Sequence, residues 1–317
     1  MNQLNIPKNP SVNIDEYVHK LSSTLQIKIS DDRIRNIVYK VGINEVVIGT
    51  DVSKRTIKRY LKQDMYPLVF FHKLNHLIAA DIFSRIAKSD TLFVSKWKTV
   101  RLPVKATPTL AYFVGYLHGD GCIECNERKI NFIDEYEEQM ERIDAMCFKL
   151  FGINGKIKAE MSLLSKKPAY RLIIESKAIN SYFHCAFNMN QGKKNILQIP
   201  EIFKRNKTLL RWYLSGLFDA DGTLPKNPKA SKQLFIDVTF KDKTFIEEIR
   251  EALLTFGITT LSPYCRMAKS PSSDYISETW ELRIRRKAEI IRFLKSVGFA
   301  HPDKERRARE ILQLLDP

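Results

Sequence analysis

Apolar residues recur along this chain in two rhythms, and the switch between them already divides it. A spacing near 3.6, which lines one face of a helix, runs through 31–41, 44–49 and 54–63. Gly42 stands where the first of these helices should stop, and Ser53 is placed to cap the third through its hydroxyl. On that third helix Ile57, Tyr60 and Leu61 share a face, while Lys54, Arg55, Lys58, Arg59 and Lys62 crowd the rest. The polar, proline-bearing stretch 99–108 reads as a linker. Beyond it a spacing of 2 appears. Leu234–Phe240 alternates as a half-buried strand does, and Tyr170–Glu175 and Trp280–Arg285 are strand-like too.

The chain after the linker is an imperfect repeat. Phe113–Gly121 reads FVGYLHGDG and Leu214–Gly222 reads LSGLFDADG, each an apolar helical run closed by Asp-Gly. Gly115, Asp120 and Gly121 recur as Gly216, Asp221 and Gly222, an offset of 101. Phe151-Gly-Ile153 recurs as Phe256-Gly-Ile258, ending helices expected to begin near Asp134 and Asp242. Lys177-Ala178 and Lys287-Ala288 open a further helix in each half. Each half therefore reads as helix, strand pair, helix, strand pair, helix. A duplicated helix that ends in an acid predicts two equivalent halves packed helix to helix, with two carboxylates brought together. Metal-dependent phosphodiester chemistry needs such a pair.

Charge sharpens this picture. The 317 residues carry a net charge of +16, which points to a polyanionic partner. Residues 1–98 hold 16 Lys/Arg against 9 Asp/Glu (16 − 9, net +7), so the basic charge is spread over the chain. No apolar run approaches the roughly 18 residues of a membrane span, and the N-terminus lacks the apolar core of a secretory signal. A soluble, cytoplasmic protein with no membrane partner is expected. Five cysteines suit a reducing compartment. Cys122 and Cys125 form a metal-like pair, but no second pair follows at zinc spacing, so free thiols are expected.

The 46–62 stretch resembles a helix-turn-helix, in which residues near the start of the second helix reach base edges. Ser53, Lys54, Arg55 and Thr56 would take that role, with Lys58, Arg59 and Lys62 against phosphates.

The two nonapeptides resemble the signature of LAGLIDADG homing endonucleases in the single-chain, two-motif form. The second copy is near the signature; the first is looser but keeps the glycines and the final acid. The resemblance covers 108–310 and implies an α+β fold. Two pseudo-symmetric αββαββα repeats would form a DNA-binding saddle, preceded by a small all-α helix-turn-helix domain. The boundaries expected are 1–98, a linker at 99–108, 109–205 and 206–317. Gly115 and Gly216 would let the motif helices touch, and Gly121 and Gly222 would end them in conformations other residues resist. Asp120 and Asp221 would be catalytic and hold Mg²⁺, with Mn²⁺ as an alternative ion. The carbonyls of Gly119 and Ala220 would complete the set. A carboxylate at a helix C-terminus opposes the macrodipole by roughly 0.3–1 kcal/mol, so two of them suggest a purpose. Lys156, Lys158, Arg171, Arg266, Lys269, Arg283 and Arg285 are the strand residues expected to meet DNA, with Asn131 and Gln233 behind them.

The family also tends to carry a lysine near each centre. Here Leu197 and Pro302 occupy those places, with Lys193 and Lys194 near the first and Lys304 two residues past the second. The first expectation is therefore a monomeric, site-specific endonuclease of double-stranded DNA. The alternatives are a non-cleaving DNA-binding regulator derived from such a nuclease, and a maturase-like protein that binds structured intron RNA. Met1 and Leu315-Asp316-Pro317 show no terminal cysteine or His-Asn pair of the self-splicing kind, so a free-standing protein is expected.

Overall fold

The computed structural model describes residues 21, 25–29, 32–79, 92–95, 98–103, 105–125, 128–161, 168–192, 197–269 and 276–316. The repeat inferred from sequence is present in full. The first unit runs through helix Pro108–Gly119, strands β5 (Gly121–Ile123) and β6 (Lys129–Asp134), then helix Glu137–Phe151. Strands β7 (Lys156–Met161) and β8 (Pro168–Glu175) and helix Lys177–Phe187 complete it. The second runs through helix Lys207–Asp221, β9 (Gly222–Thr223) and β10 (Ile236–Phe240), then helix Lys243–Leu254. It closes with β11 (Tyr264–Lys269), β12 (Ile276–Ile284) and helix Lys287–Ser296. The sheets have one topology, β5-β6-β8-β7 and β9-β10-β12-β11, antiparallel throughout. The fold is α+β, two αββαββα repeats. A further helix, Pro302–Leu315, follows the second.

Local chemistry explains the element ends. Thr107 and Asn206 cap the two motif helices, their side-chain oxygens accepting from Leu110 N (3.2 Å) and Leu209 N (3.1 Å). Asp242 caps Lys243–Leu254 as expected. Its counterpart does not begin at Asp134. That residue closes β6, its carboxylate accepts from Tyr136 N (2.8 Å), and the helix starts at Glu137. Gly152 (φ 76°) and Gly257 (φ 71°) take the left-handed conformation that glycine adopts cheaply, which accounts for the repeated Phe-Gly-Ile.

The motif helices pack against each other at the centre of the molecule, and their glycines set the distance. A Cβ on Gly115 would fall onto the carbonyl oxygen of Tyr213, and one on Gly216 onto that of Tyr112. Gly121 and Gly222 need correction. Neither has a positive φ, and Gly222 is extended at φ −71°, ψ 143°. Space excludes a side chain instead: a Cβ on Gly121 would lie 2.7 Å from the Leu117 carbonyl oxygen, and one on Gly222 3.0 Å from Phe218 Cα.

The first region holds the three expected helices, at Asp32–Val41, Ile43–Thr50 and Lys54–Gln63, and a fourth at Leu68–Ile78. It is not all-helical. Strands β1 (Gln26–Lys28), β2 (Met65–Pro67), β3 (Leu92–Ser95) and β4 (Lys98–Arg101) form a sheet of order β2-β1-β3-β4. Short strands of three or four residues carry too little alternation to announce themselves. Residues 99–101 thus belong to a strand rather than a linker. Tyr182 of the first repeat donates to the Pro103 carbonyl (3.1 Å), and Lys98 approaches Glu175 (3.9 Å). Among the described residues no helix is long and apolar enough to cross a membrane.

Overpacking a tight contact costs about 1–3 kcal/mol, and more where backbone must move. Gly115→Ala and Gly216→Ala are each expected to lower unfolding free energy by at least about 2 kcal/mol in urea titration. A loss under about 0.5 kcal/mol would refute the close approach.

Candidate active site

The helix pair is locked across its interface by two related hydrogen bonds. The Tyr112 hydroxyl donates to Asp219 Oδ2 at 2.7 Å, and the Tyr213 hydroxyl lies 2.7 Å from His118 Nδ1. Tyr112 and Tyr213 are 101 positions apart, as are His118 and Asp219, so the pseudo-twofold swaps one bond for the other. The offset of 101 that relates the motifs relates this pair too. Asp219 is 1% exposed and also accepts from Ala300 N and His301 N, both at 2.9 Å. Burial pushes its carboxyl above the ordinary range, while Tyr112, the His301 N–H, Lys304 and the Ala300 N–H pull the other way.

One residue further on, the motif ends meet. Asp120 caps the first helix and its N–H donates to the Tyr116 carbonyl (3.1 Å); Asp221 is the last residue of the second. A Cβ on Gly119 would sit 2.9 Å from Asp221 Oδ2, so the Asp221 carboxylate lies against the end of the other helix. Asp120 opens instead on a cleft of about 320 Å³ shared with Asp134, Asp219, Ala220, His301 and Lys304.

Lys304 and Arg307 bring positive charge to this cleft, and Lys304 reaches the motif end. Its ammonium donates to the carbonyls of Phe218 (3.1 Å), Asp219 (2.5 Å) and Ala220 (2.8 Å), the last turn of the second motif helix. Burial pulls its pKa below the usual lysine value, opposed by the charges of Asp219, Asp120, Asp134 and Asp221. Pro302, the residue at the expected lysine position, is the first residue of helix Pro302–Leu315, which suits a residue without an N–H. The helix it opens carries Lys304 into place two residues later. Leu197 packs against the core, and Lys193 and Lys194 lie outside the described residues. Beside Lys304, Asp134 accepts from the Tyr116 hydroxyl (2.7 Å) and approaches His301 Nε2 (3.3 Å). Burial raises its pKa, but hydrogen bonds from His301, Tyr116 and the Tyr136 N–H outweigh that and hold it below the usual carboxylate value.

The strand residues sort by register. Leu172 and Ile174 of β8 are buried, so Arg171 faces away from the helices, with Lys156 and Lys158 beside it on β7. Lys156 and Lys158 are exposed, and Arg171 is held by Glu160 (3.0 Å). In the second sheet Leu282 and Ile284 are buried and Arg283 takes the open side. Arg283 is bound to Asp237 (2.9 Å) and Glu281 (2.6 Å), and Arg266 to Glu281 (2.8 Å). Glu281 is 1% exposed and so holds both arginines from below. Arg285 is exposed beyond the end of β12; Lys269 pairs with Ile276 in the backbone, and its side chain lies outside the described residues.

On helix Lys54–Gln63, Lys54, Arg55, Lys58, Arg59 and Lys62 are exposed and Ile57 and Leu61 buried. Ser53 and Thr56 are used locally: the Ser53 hydroxyl accepts from Thr56 N (3.2 Å) and donates to the Thr56 hydroxyl (2.9 Å).

As a metal centre the motif ends offer two carboxylates. Among the described residues no group of three His, Cys, Asp or Glu could hold an ion. Backbone carbonyls, water and a ligand's own oxygens would complete a hard-cation shell. The carboxylates of Asp120 and Asp221 fit that chemistry, and the Ala220 carbonyl accepts from Lys304. The five cysteines are free thiols, and burial pushes that of Cys147 up to about 12.

A duplicated glycine-spaced helix, ending in paired acids between matching αββαββα units, is the pattern of one family. Its model, described as a LAGLIDADG-like domain, matches residues 208–298. The second repeat is thus similar to a LAGLIDADG-like domain. It is 26% identical over 212 residues to homing endonuclease I-ApeI of Aeropyrum pernix, covering 64% of this chain and 86% of that one. It is also 28% identical over 321 residues to a Methanocaldococcus jannaschii glutamine–fructose-6-phosphate aminotransferase, covering 98% of this chain but only 27% of that protein. Among solved structures, I-WcaI bound to its recognition DNA is similar at 17% identity and a TM-score of 0.44, over 64% of this chain and 86% of that one.

Because Asp134 is held below its ordinary value of 3.8, its stabilisation is complete above that pH and is lost as pH falls below it. Asp134→Asn is expected to cost about 1.5–3 kcal/mol at neutral pH, the worth of hydrogen bonds to a charged group. The variant's stability should fall less steeply below about pH 4 in urea titrations. Parallel acid limbs for wild type and variant would remove Asp134 from the account.

Proposed function

We propose that this protein is a site-specific, metal-dependent endonuclease of double-stranded DNA, with Asp120 and Asp221 as its metal-holding carboxylates. The observation that carries this reading is the meeting of the motif ends. Gly119 lies against Asp221, and Asp120 opens on the cleft beside Ala220. Hydrolysis requires the oxygen of water to bond to phosphorus as the bond to the 3′ oxygen breaks, once on each strand. A Mg²⁺ or Mn²⁺ ion bound to these acids would lower the pKa of its water and stabilise charge on the phosphate and leaving oxygen. The chain's own part is to hold the carboxylates still. Crossed tyrosine bonds prevent the motif helices from sliding, and the space-excluded Gly121 and Gly222 fix where each acid leaves its helix.

Binding would fall to the exposed basic positions. Lys156, Lys158 and Arg171 line the open face of the first sheet. Arg266, Arg283 and Arg285 serve the second, where Glu281 and Asp237 hold Arg283 in one orientation, as base readout requires. Helix Lys54–Gln63 would extend the footprint as the second helix of a helix-turn-helix. The net charge of +16 and the likeness to a homing endonuclease support a DNA partner. With both motifs in one chain, a monomer supplies both acids.

Leu197, which packs against the core at one of the usual lysine positions, favours a second reading as a DNA-binding regulator that does not cut.

Duplex selected from a random library in Ca²⁺ and transferred to Mg²⁺ is expected to show a discrete double-strand break. Asp120→Asn and Asp221→Asn should each slow it by at least about a hundredfold, while binding stays within about threefold. Wild-type rates in either variant would remove the acids from the chemistry. An enriched site that stays intact in both Mg²⁺ and Mn²⁺ would establish the regulator, and preference for folded RNA at equal salt the RNA-binding role. If helix Lys54–Gln63 meets phosphates, Lys58→Ala should reduce the slope of log affinity against log salt by about 0.9. An unchanged slope would take that helix off the DNA.

A further inference from the structure

The open face of the second sheet carries four charged side chains in one connected cluster. In the register Arg283 stands opposite Asp237, Glu281 opposite Tyr264, and Arg266 opposite Thr279. All of them therefore share the face turned away from buried Leu282 and Ile284. Arg283 is held entirely within the cluster. Its Nη2 lies 2.9 Å from Asp237 Oδ2 and 2.6 Å from Glu281 Oε1, its guanidinium lies 4.7 Å from the Phe235 ring centre, and its Nε is buried. Each side of a guanidinium fork that offers two parallel donors includes Nη2, so Arg283 has neither side to give. Arg266 is held differently. Its Nη1 donates to Glu281 Oε2 at 2.8 Å, and the side chain is 59% exposed, which leaves the paired donors of Nε and Nη2 for a ligand. The matching ion pair of the first sheet is reversed, with Arg171 on β8 where β12 has Glu281, and Glu160 on β7 where β11 has Arg266. There Arg171 closes its own Nε and Nη2 onto Glu160, both at 3.0 Å.

On the DNA-binding reading above, we propose that Arg266 reads one guanine in the major groove, with Glu281 and Arg283 as the residues that position it. Guanine presents two acceptors there, O6 and N7, to two parallel donors. Glu281 fixes one nitrogen of the Arg266 fork and so sets the plane in which the other two point. Arg283, itself tied to Asp237, holds Glu281 in place. The fork is thus oriented before any ligand arrives, and little further freedom is lost on binding. Charge chooses between the two ligands that a fork can take. Two guanidiniums against two carboxylates give the cluster no net charge, so a phosphate gains little from it and meets Glu281 and Asp237 close by. A base edge brings acceptors without charge.

The test uses the full chain and duplexes selected from a random library in Ca²⁺, with binding alone as the readout. Wild type should prefer guanine at one position by about tenfold or more. Placing 7-deazaguanine there, which lacks the N7 acceptor, should weaken binding at least about threefold. Arg266→Ala should bring both effects below about twofold and leave the preferences at other positions as they were. Glu281→Gln should lower the same guanine preference at least about threefold and no other, a selective change that lost stability alone does not produce. An Arg266→Ala variant that keeps every preference would overturn the proposal. So would one that loses affinity for all sequences alike with a shallower salt dependence, which would make Arg266 a phosphate contact. Should Glu281→Gln fail to fold, Arg266→Ala against 7-deazaguanine decides alone. Failure of the wild type to enrich any duplex would instead overturn the DNA-binding reading itself, and the proposal with it.

Discussion

Everything at the centre of this protein depends on how closely two helices approach. At Gly115 and Gly216 the backbone of each helix occupies the volume where the other would carry a Cβ. Contact this close brings the Tyr112 and Tyr213 hydroxyls within reach of Asp219 and His118 on the opposite helix. A separation larger by one methyl group would lengthen both bonds, strand a buried carboxylate, and part Gly119 from Asp221. Packing distance, polar satisfaction and the meeting of the acids are thus one constraint expressed three times. The sheets are held by the outer faces of the same helices.

The architecture of the repeats was legible because duplication prints itself as an offset. Gly115 and Gly216, Phe151-Gly and Phe256-Gly, and the Lys-Ala helix starts carry it without any knowledge of contacts. Tyr112 and Tyr213 carried it equally, but a tyrosine in an apolar helix looks like ordinary core until its hydroxyl is given a partner. The first region was half read. Its helices follow from period and caps, whereas β1 to β4 are too short to show alternation and draw their pairing from distant segments. Lys304 was near the expected place but not at it. A proline that starts a helix moves the next outward-reaching side chain on by two residues, and only the helix axis says where that side chain arrives.

The two sheets show how a shared topology can carry different electrostatics. The open face of the first presents exposed Lys156 and Lys158. That of the second sets its arginines over buried acid, with Glu281 bridging Arg266 and Arg283. A flexible ammonium makes a tolerant phosphate contact, while a guanidinium gripped from behind loses little further freedom when it meets a planar partner. The repeats have kept one fold and set different charges on its open face.

The strand at Lys98–Arg101 has a last consequence. It joins the first region's sheet while Pro103, two residues on, is fastened to Tyr182 of the first repeat, and Arg101 packs beside Gly152. A loose tether would let the basic helix search a volume. A strap of this kind sets a length. The spacing between that helix and the paired acids becomes a property of the fold, so the protein would act on its partner as a gauge, sensitive to how many steps of the ligand lie between two points as well as to what stands at each.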